Sequence, residues 1–139
     1  MDLSSRHLAF HAALVLLIGL LYGEPYARAI KRNAPAHIVD SWRVAHLSIP
    51  IGATLMFAIA ALLSLYKISE QTKWLIAGSL IISSYAFCLS LPLAAITGHR
   101  GLASGAKGWA GLVYMGNMVG AWASLIAAGL LVFAGFASL

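Results

Sequence analysis

The stretch "SWRVAHLSIPIGATLMFAIAALLSLY", Ser41 to Tyr66, decides the fold. From Ala45 to Tyr66 it carries no Asp, Glu, Lys or Arg, and its length matches the roughly 20 apolar residues that cross a bilayer as a helix. The apolar residues run on without alternating, so the segment reads as a helix that satisfies its own backbone in lipid, not as a barrel strand. Its one ionisable group is His46, set just inside the entrance.

Three further segments of the same kind surround it. The four spans predicted are approximately residues 8–22, 45–66, 74–96 and 112–136, each bounded by charge, Pro or Gly. Of the 139 residues, 61% are hydrophobic and 9% charged, with a mean hydropathy of +0.88, a balance that no water-facing globular surface tolerates. The expectation is an all-α integral membrane protein, a four-helix bundle forming a single domain over residues 1–139. With so little chain outside the spans, a function has to sit between helices or between copies.

Charge and cysteine narrow the reading. Nine Lys and Arg face four Asp and Glu, but the cations are scattered at helix ends, so they serve orientation and lipid headgroups and not nucleic acid. Arg28, Lys31, Arg32, Arg43, Arg100 and Lys107 fall in the first and third loops, against Arg6, Lys67 and Lys73 at the other side. The positive-inside rule then puts both termini outside the cytoplasm. The single cysteine, Cys88, excludes a disulfide framework.

Local signals set the connections. Glu24 and Pro25 disturb the first helix just past Gly23, "RAIKRNAPAHIVDSW" (28–42) reads as the longest polar connection, and "TGHRGLASGAKGW" (97–109) is a glycine-rich loop on the His46 side. Gly116, Gly120, Ser124 and Ala128 form a ladder of small residues, suited to close packing between copies or within one bundle. Ser83 and Ser84 are expected to bond within their own helix.

The polar groups at membrane depth are the candidate site. An imidazole there is bonded to a neighbouring helix or ligates a metal, and spacing alone leaves both open for His46. Trp42, Pro50, Ala53 and Phe57 continue its face at helical spacing, and Gly52 and Ala53 leave room for a flat macrocycle. His7 and His11, four apart, can pinch a metal ion, but Asp2 looks too frayed to complete the set; His37 is a solvated loop residue. His99 stands near the level of His46, and a bis-histidine cytochrome is the rival arrangement. Asn117 in the fourth span needs partners that a lone helix does not supply.

Several short pieces resemble the styrene oxide isomerases. "HAALVLLIGLLYG" from His11, "WRVAH" from Trp42, "GSLII" from Gly78 and "RGLASG" from Arg100 are similar to that family's pattern in order and nearly in spacing. The resemblance implies a trimer holding ferric haem b between neighbouring subunits, with His46 as the axial ligand. It implies an apolar epoxide substrate from the bilayer, isomerised to a carbonyl compound, in a bacterial inner membrane. Arg43, Arg100 and Lys107 are then the expected partners of the haem propionates. The chain departs from the family where its asparagine falls on Gly52 and its tyrosine near Leu91 or Pro92. Tyr85, Tyr114 and Asn117 are the expected substitutes at the substrate, and a non-catalytic haem protein is the alternative.

Overall fold

The computed structural model describes residues 1–139, folded into helices α1 (Leu3–Leu21), α2 (Gly23–Lys31), α3 (Ala36–Leu63), α4 (Glu70–Thr97) and α5 (Trp109–Ala137), with no strand. α1 and α2 together make one long apolar unit, so four units are long and apolar enough to cross a membrane. Only 28 of 139 residues are buried, while Leu89, Ile96, Val132 and Phe136 stand more than two thirds exposed. Apolar side chains cover the outside because lipid is the solvent.

The apolar windows mark hydrocarbon thickness, and the helices outrun them at both ends. The first begins at Leu3 because Asp2 caps it: its Oδ1 accepts from the Ser5 amide at 2.9 Å and from the Ser4 hydroxyl at 3.0 Å. Asp2 is therefore anchored, not frayed. The connection expected over residues 28–42 is mostly helical, since α2 runs to Lys31 and α3 starts at Ala36, leaving only residues 32–35 between them. α4 opens with Ser69 capping Thr72 and stops at Gly98, whose φ of 72° is the left-handed turn that ends a helix.

Three prolines shape the spans by removing backbone donors. Pro25 cannot bond the Leu21 carbonyl, and the first span breaks at Tyr22. Pro92 leaves the Cys88 carbonyl without its helical partner, and the Tyr22 hydroxyl donates to that oxygen at 2.7 Å. Pro50 likewise frees the His46 carbonyl inside α3. Such freed groups are tolerated in lipid only where side chains re-satisfy them.

α1, α3 and α4 pack mutually around Leu8, Ala12, Val15, Met56, Leu63 and Ile76, all almost fully buried. α5 packs against α4 alone. Gly116 and Gly120 make this contact possible: a Cβ at Gly116 would lie 2.7 Å from Ser90 Cβ, and one at Gly120 would lie 2.7 Å from the Phe87 ring. These two rungs of the small-residue ladder thus serve packing within the chain, while Ala128 is exposed. The serines also differ from expectation. Ser83 donates to the Gly120 carbonyl on α5 at 2.7 Å and Ser84 to Met56 Sδ on α3 at 3.0 Å, tying helices together.

Both termini and the turn between α3 and α4 share one end of the bundle. Lys73 Nζ lies 2.7 Å from Asp2 and 3.2 Å from Glu70, and the Lys67 amide donates to Ser138 Oγ at 2.9 Å. The opposite end holds the α2–α3 connection and the loop before α5.

Candidate functional site

His46 sits near that opposite end, half-buried on α3. Where α1 breaks, the Gly19 carbonyl is released from the helical ladder, and His46 Nδ1 donates to it at 3.0 Å. The bond to a neighbouring helix is real, and it also fixes the tautomer. With Nδ1 carrying the proton, Nε2 keeps its lone pair and meets no protein donor, the arrangement in which a backbone carbonyl orients a metal-binding imidazole. Of the two readings the sequence leaves open, the bond to a neighbouring helix is observed, and it leaves the other ring nitrogen free.

Two glycines let the ring in. A Cβ on Gly23 would stand 2.9 Å from His46 Cε1, and one on Gly19 would stand 2.5 Å from Pro50 Cδ and 2.9 Å from Ile49 Cγ2. Gly19 and Gly23 are themselves a small-xxx-small pair, a signal of the same form as the ladder in the fourth span but not read from the sequence. Trp42 and Pro50 lie on this side as their spacing predicts. Trp42 stacks near Tyr22 with centroids 6.0 Å apart, and Tyr26 lies 6.1 Å from the His46 ring.

A cavity of about 450 Å³ lies elsewhere: a cleft between α3 and α5 floored by α4. Its α3 wall is Val44, Ser48, Ile51, Gly52 and Leu55 with Ile49 and Met56 at the edge toward Val15 of α1, its floor includes Leu80, Phe87 and Leu91, and Ser124 stands on the α5 side. At about 100° per residue, Val44, Ser48, Ile51, Gly52 and Leu55 fall about 140–240° round the helix from His46, while the edge residues Ile49 and Met56 reach about 280–300°. One chain therefore presents the imidazole and most of the cleft on opposite sides of α3, and the space at Gly52 is not beside the His46 ring. The cleft is apolar with few hydroxyls. Those of Ser83, Ser84 and Ser124 are bonded to Gly120, Met56 and Ala121, which leaves Ser48 as the free one. Ser48, Gly52 and Leu91 were not read as a cavity from the sequence, because no periodicity marks an empty space.

Past Val44 and Leu91 the cleft continues into a second, polar cavity of about 200 Å³ with His37, Asp40, Ser41 and Arg100 at its walls. Of the cations expected near the cofactor, Arg100 is here without a carboxylate partner, Arg43 is paired to Asp40 at 2.9 Å, and Lys107 is exposed in the loop. Asn117 Nδ2 donates to the Arg100 carbonyl at 3.3 Å, and Gly101, at φ 63°, packs on the backbone of Tyr114, so α5 holds the loop that carries Arg100. Asn117 Oδ1 is buried with no partner. Tyr85 is on the α1 side, its hydroxyl 2.9 Å from His11 Nδ1. Tyr85, Tyr114 and Asn117 do not meet at one place, and none lines the apolar cleft.

The remaining histidines stay apart. His7 stacks on Trp74 at 5.3 Å, His11 is bonded to Tyr85, and His99 is exposed beside Arg100. No group of three or more His, Cys, Asp or Glu gathers anywhere in the chain. A metal on this protein therefore has fewer than three such side chains to hold it.

A family model described as styrene oxide isomerase matches residues 4–136. No curated protein matches the chain.

Proposed function

Because the chain belongs to the styrene oxide isomerase family, we propose that it is a multi-pass isomerase of the bacterial inner membrane that converts an apolar epoxide into a carbonyl compound. His46 Nε2 would hold the iron of ferric haem b. The observation that carries this assignment is the Nδ1 bond to the Gly19 carbonyl, which orients the ring and leaves one nitrogen for iron. Bound there, ferric iron is a Lewis acid toward an epoxide oxygen, the chemistry that opens the ring and lets a hydride shift give the carbonyl.

The chain's own residues supply the rest. The apolar cleft takes an epoxide from the bilayer, where such molecules partition, and its lining of Val44, Ile51, Leu55 and Phe87 keeps water from the opened ring. Without that exclusion a diol would form. Ser48, whose hydroxyl is free, donates to a polar atom of the bound substrate. Tyr114 and Asn117 act from beneath the mouth, by holding the loop of Arg100, and Tyr85 acts through His11. Arg43, Arg100 and Lys107 receive the two propionates at the interface, since unpaired carboxylates are costly in hydrocarbon.

The opposition of His46 and the cleft across α3 supports a homotrimer. One chain cannot turn both on one ligand, whereas copies joined head to tail bring the imidazole of each to the cleft of the next, and such contacts close into a ring. An absorption spectrum and a styrene oxide conversion assay on wild type and His46→Ala test the reading. A ferric spectrum with an open coordination position and aldehyde formation, both lost in the variant, support it. A low-spin bis-histidine spectrum with no turnover makes the protein a non-catalytic haem carrier, and a colourless wild type removes the haem.

A further inference from the structure

We propose that Gly52 sets the size of the molecule the cleft accepts, and that the substrate class is a rigid apolar epoxide larger than one aromatic ring; the epoxide part of this inference rests on the isomerase reading above.

Glycine inside a helix is less stable than alanine, so its presence usually answers to close packing or to backbone conformation. Neither applies at Gly52. A Cβ built there meets nothing within 4 Å, and its φ is not among the positive ones. Gly19, Gly23, Gly116 and Gly120 make the contrast, since a Cβ at any of them would come within 3 Å of a neighbour. Gly78, Gly129 and Gly135 are also open to a Cβ, but only Gly52 lines the cleft. What the missing side chain leaves is empty volume against the bare backbone of α3.

Several features say what fills it. The volume of about 450 Å³ lies in the range of pockets for small organic ligands, and is more than one ring with an oxirane needs. A helix of a neighbouring chain, about 10–12 Å across with its side chains, does not enter it. The lining is apolar, and Ser48, one turn before Gly52, offers the only free hydroxyl. An apolar body with a single polar atom is the complementary ligand.

The test uses the full-length protein in lipid nanodiscs, as wild type, Gly52→Ala and Gly52→Leu. Alanine adds its Cβ to open space and so preserves folding; leucine fills the cleft. Saturable binding of radiolabelled 2-ethylnaphthalene, which has no oxirane, is measured beside the ratio of kcat/KM for 2-naphthyloxirane to that for styrene oxide. The expected result is saturable binding to wild type, weakened stepwise by alanine and leucine and by at least about tenfold with leucine, the scale at which filling an apolar pocket discriminates. The ratio falls by at least about tenfold as well. Absence of saturable binding to wild type, or both variants binding like wild type, overturns the proposal. If binding depends on Gly52 while wild type turns over neither epoxide, the isomerase reading falls and the apolar site stands.

Discussion

The two faces of α3 use glycine for opposite ends. Toward α1 and α2 the face of His46 and Pro50 is closed: Gly19 and Gly23 on the opposing span have given up their side chains so that backbone, imidazole and proline ring can touch. Away from them, on the face of Ser48 and Gly52, the same residue type borders empty volume. Packing density fixes the first face, and a ring held against a carbonyl in a crowded interface has one orientation. The second face is free to admit a ligand. A cofactor ligand would need the former and a substrate pocket the latter, and α3 offers both kinds of face on one span.

Removing the imidazole breaks the comparison most severely. His46→Ala is expected to lose more than about nine tenths of bound haem, judged by haem absorbance per protein, because it removes the proposed iron ligand. The variant remains in the membrane, since insertion depends on four apolar spans. His37→Ala, changed at an exposed position, keeps wild-type absorbance. Haem retained at full stoichiometry in His46→Ala removes the closed face from the site.

Next in size is the crowding itself. Gly19→Ala puts a Cβ 2.5 Å from Pro50 Cδ and 2.9 Å from Ile49 Cγ2, a clash that the α1–α3 contact relieves only by separating. Overpacking of this kind costs about 1–3 kcal/mol, read as a lower unfolding midpoint in detergent. Gly23→Ala meets the edge of the His46 ring at 2.9 Å instead. Its main effect is expected on the haem spectrum and affinity, with a smaller change in stability. Equal stability losses and unaltered spectra in both variants would mean that Gly23 packs helices and does not place the ligand.

How much of this was legible follows from the kind of signal each part leaves. Four spans were readable because hydrophobicity over about 20 residues is a one-dimensional property. Helix limits were not, since Asp2 and Ser69 extend helices through polar sequence where composition predicts loop. His46 was legible as an ionisable residue at depth, and the ligand role proposed for it rests on the resemblance at "WRVAH". That it uses the Gly19 carbonyl was not legible, for this depends on where Pro25 breaks a different span. The pairing of Ser83 with Gly120 and the Tyr85–His11 bond are contacts between distant segments, 37 and 74 residues apart, which no local pattern encodes. The cleft left no trace because it is bounded by what four helices do not fill.

A smaller effect is expected at the far end, where Asp2 ties α1 to α4. Burial opposes the charged carboxylate, but hydrogen bonds from Lys73, Ser5 and Ser4 outweigh it and hold the group well below the usual carboxylate range. A lowered folded-state value means that the stabilisation is fully present above the unfolded value of about 3.9 and is lost as pH falls below it. Thermal unfolding in detergent should therefore be insensitive to this group from about pH 8 to pH 5 and weaken in stronger acid. Asp2→Asn still caps α1 but loses the ion pair with Lys73, so it should start about 1 kcal/mol less stable and lack that acid step. An acid step of the same size in the variant assigns it to another carboxylate. Neither change should move the haem spectrum, because the end that holds Asp2 is remote from both faces of the site.

The smallest expected effect concerns Arg100, which stands at the mouth of the cleft on the face of Ser48 and Gly52. It lies in the polar cavity that continues the cleft past Val44 and Leu91, its loop is fastened to α5 through Asn117, and no carboxylate of the chain pairs with it. A guanidinium left free at a membrane interface is suited to a carboxylate of a bound group. Being exposed, the pair is worth at most about 1 kcal/mol, so Arg100→Gln should weaken haem binding by no more than about fivefold. The effect should shrink further as salt is raised. Losing a cation near the iron should also lower the reduction potential, which a structural role in the loop would not do. Asn117→Ala separates the two explanations: it frees the loop but keeps the charge, so it should weaken haem binding with little change in potential. Unchanged affinity and potential in Arg100→Gln would leave Arg100 as a topology signal alone, and the propionates would then have to be placed on Arg43 or Lys107.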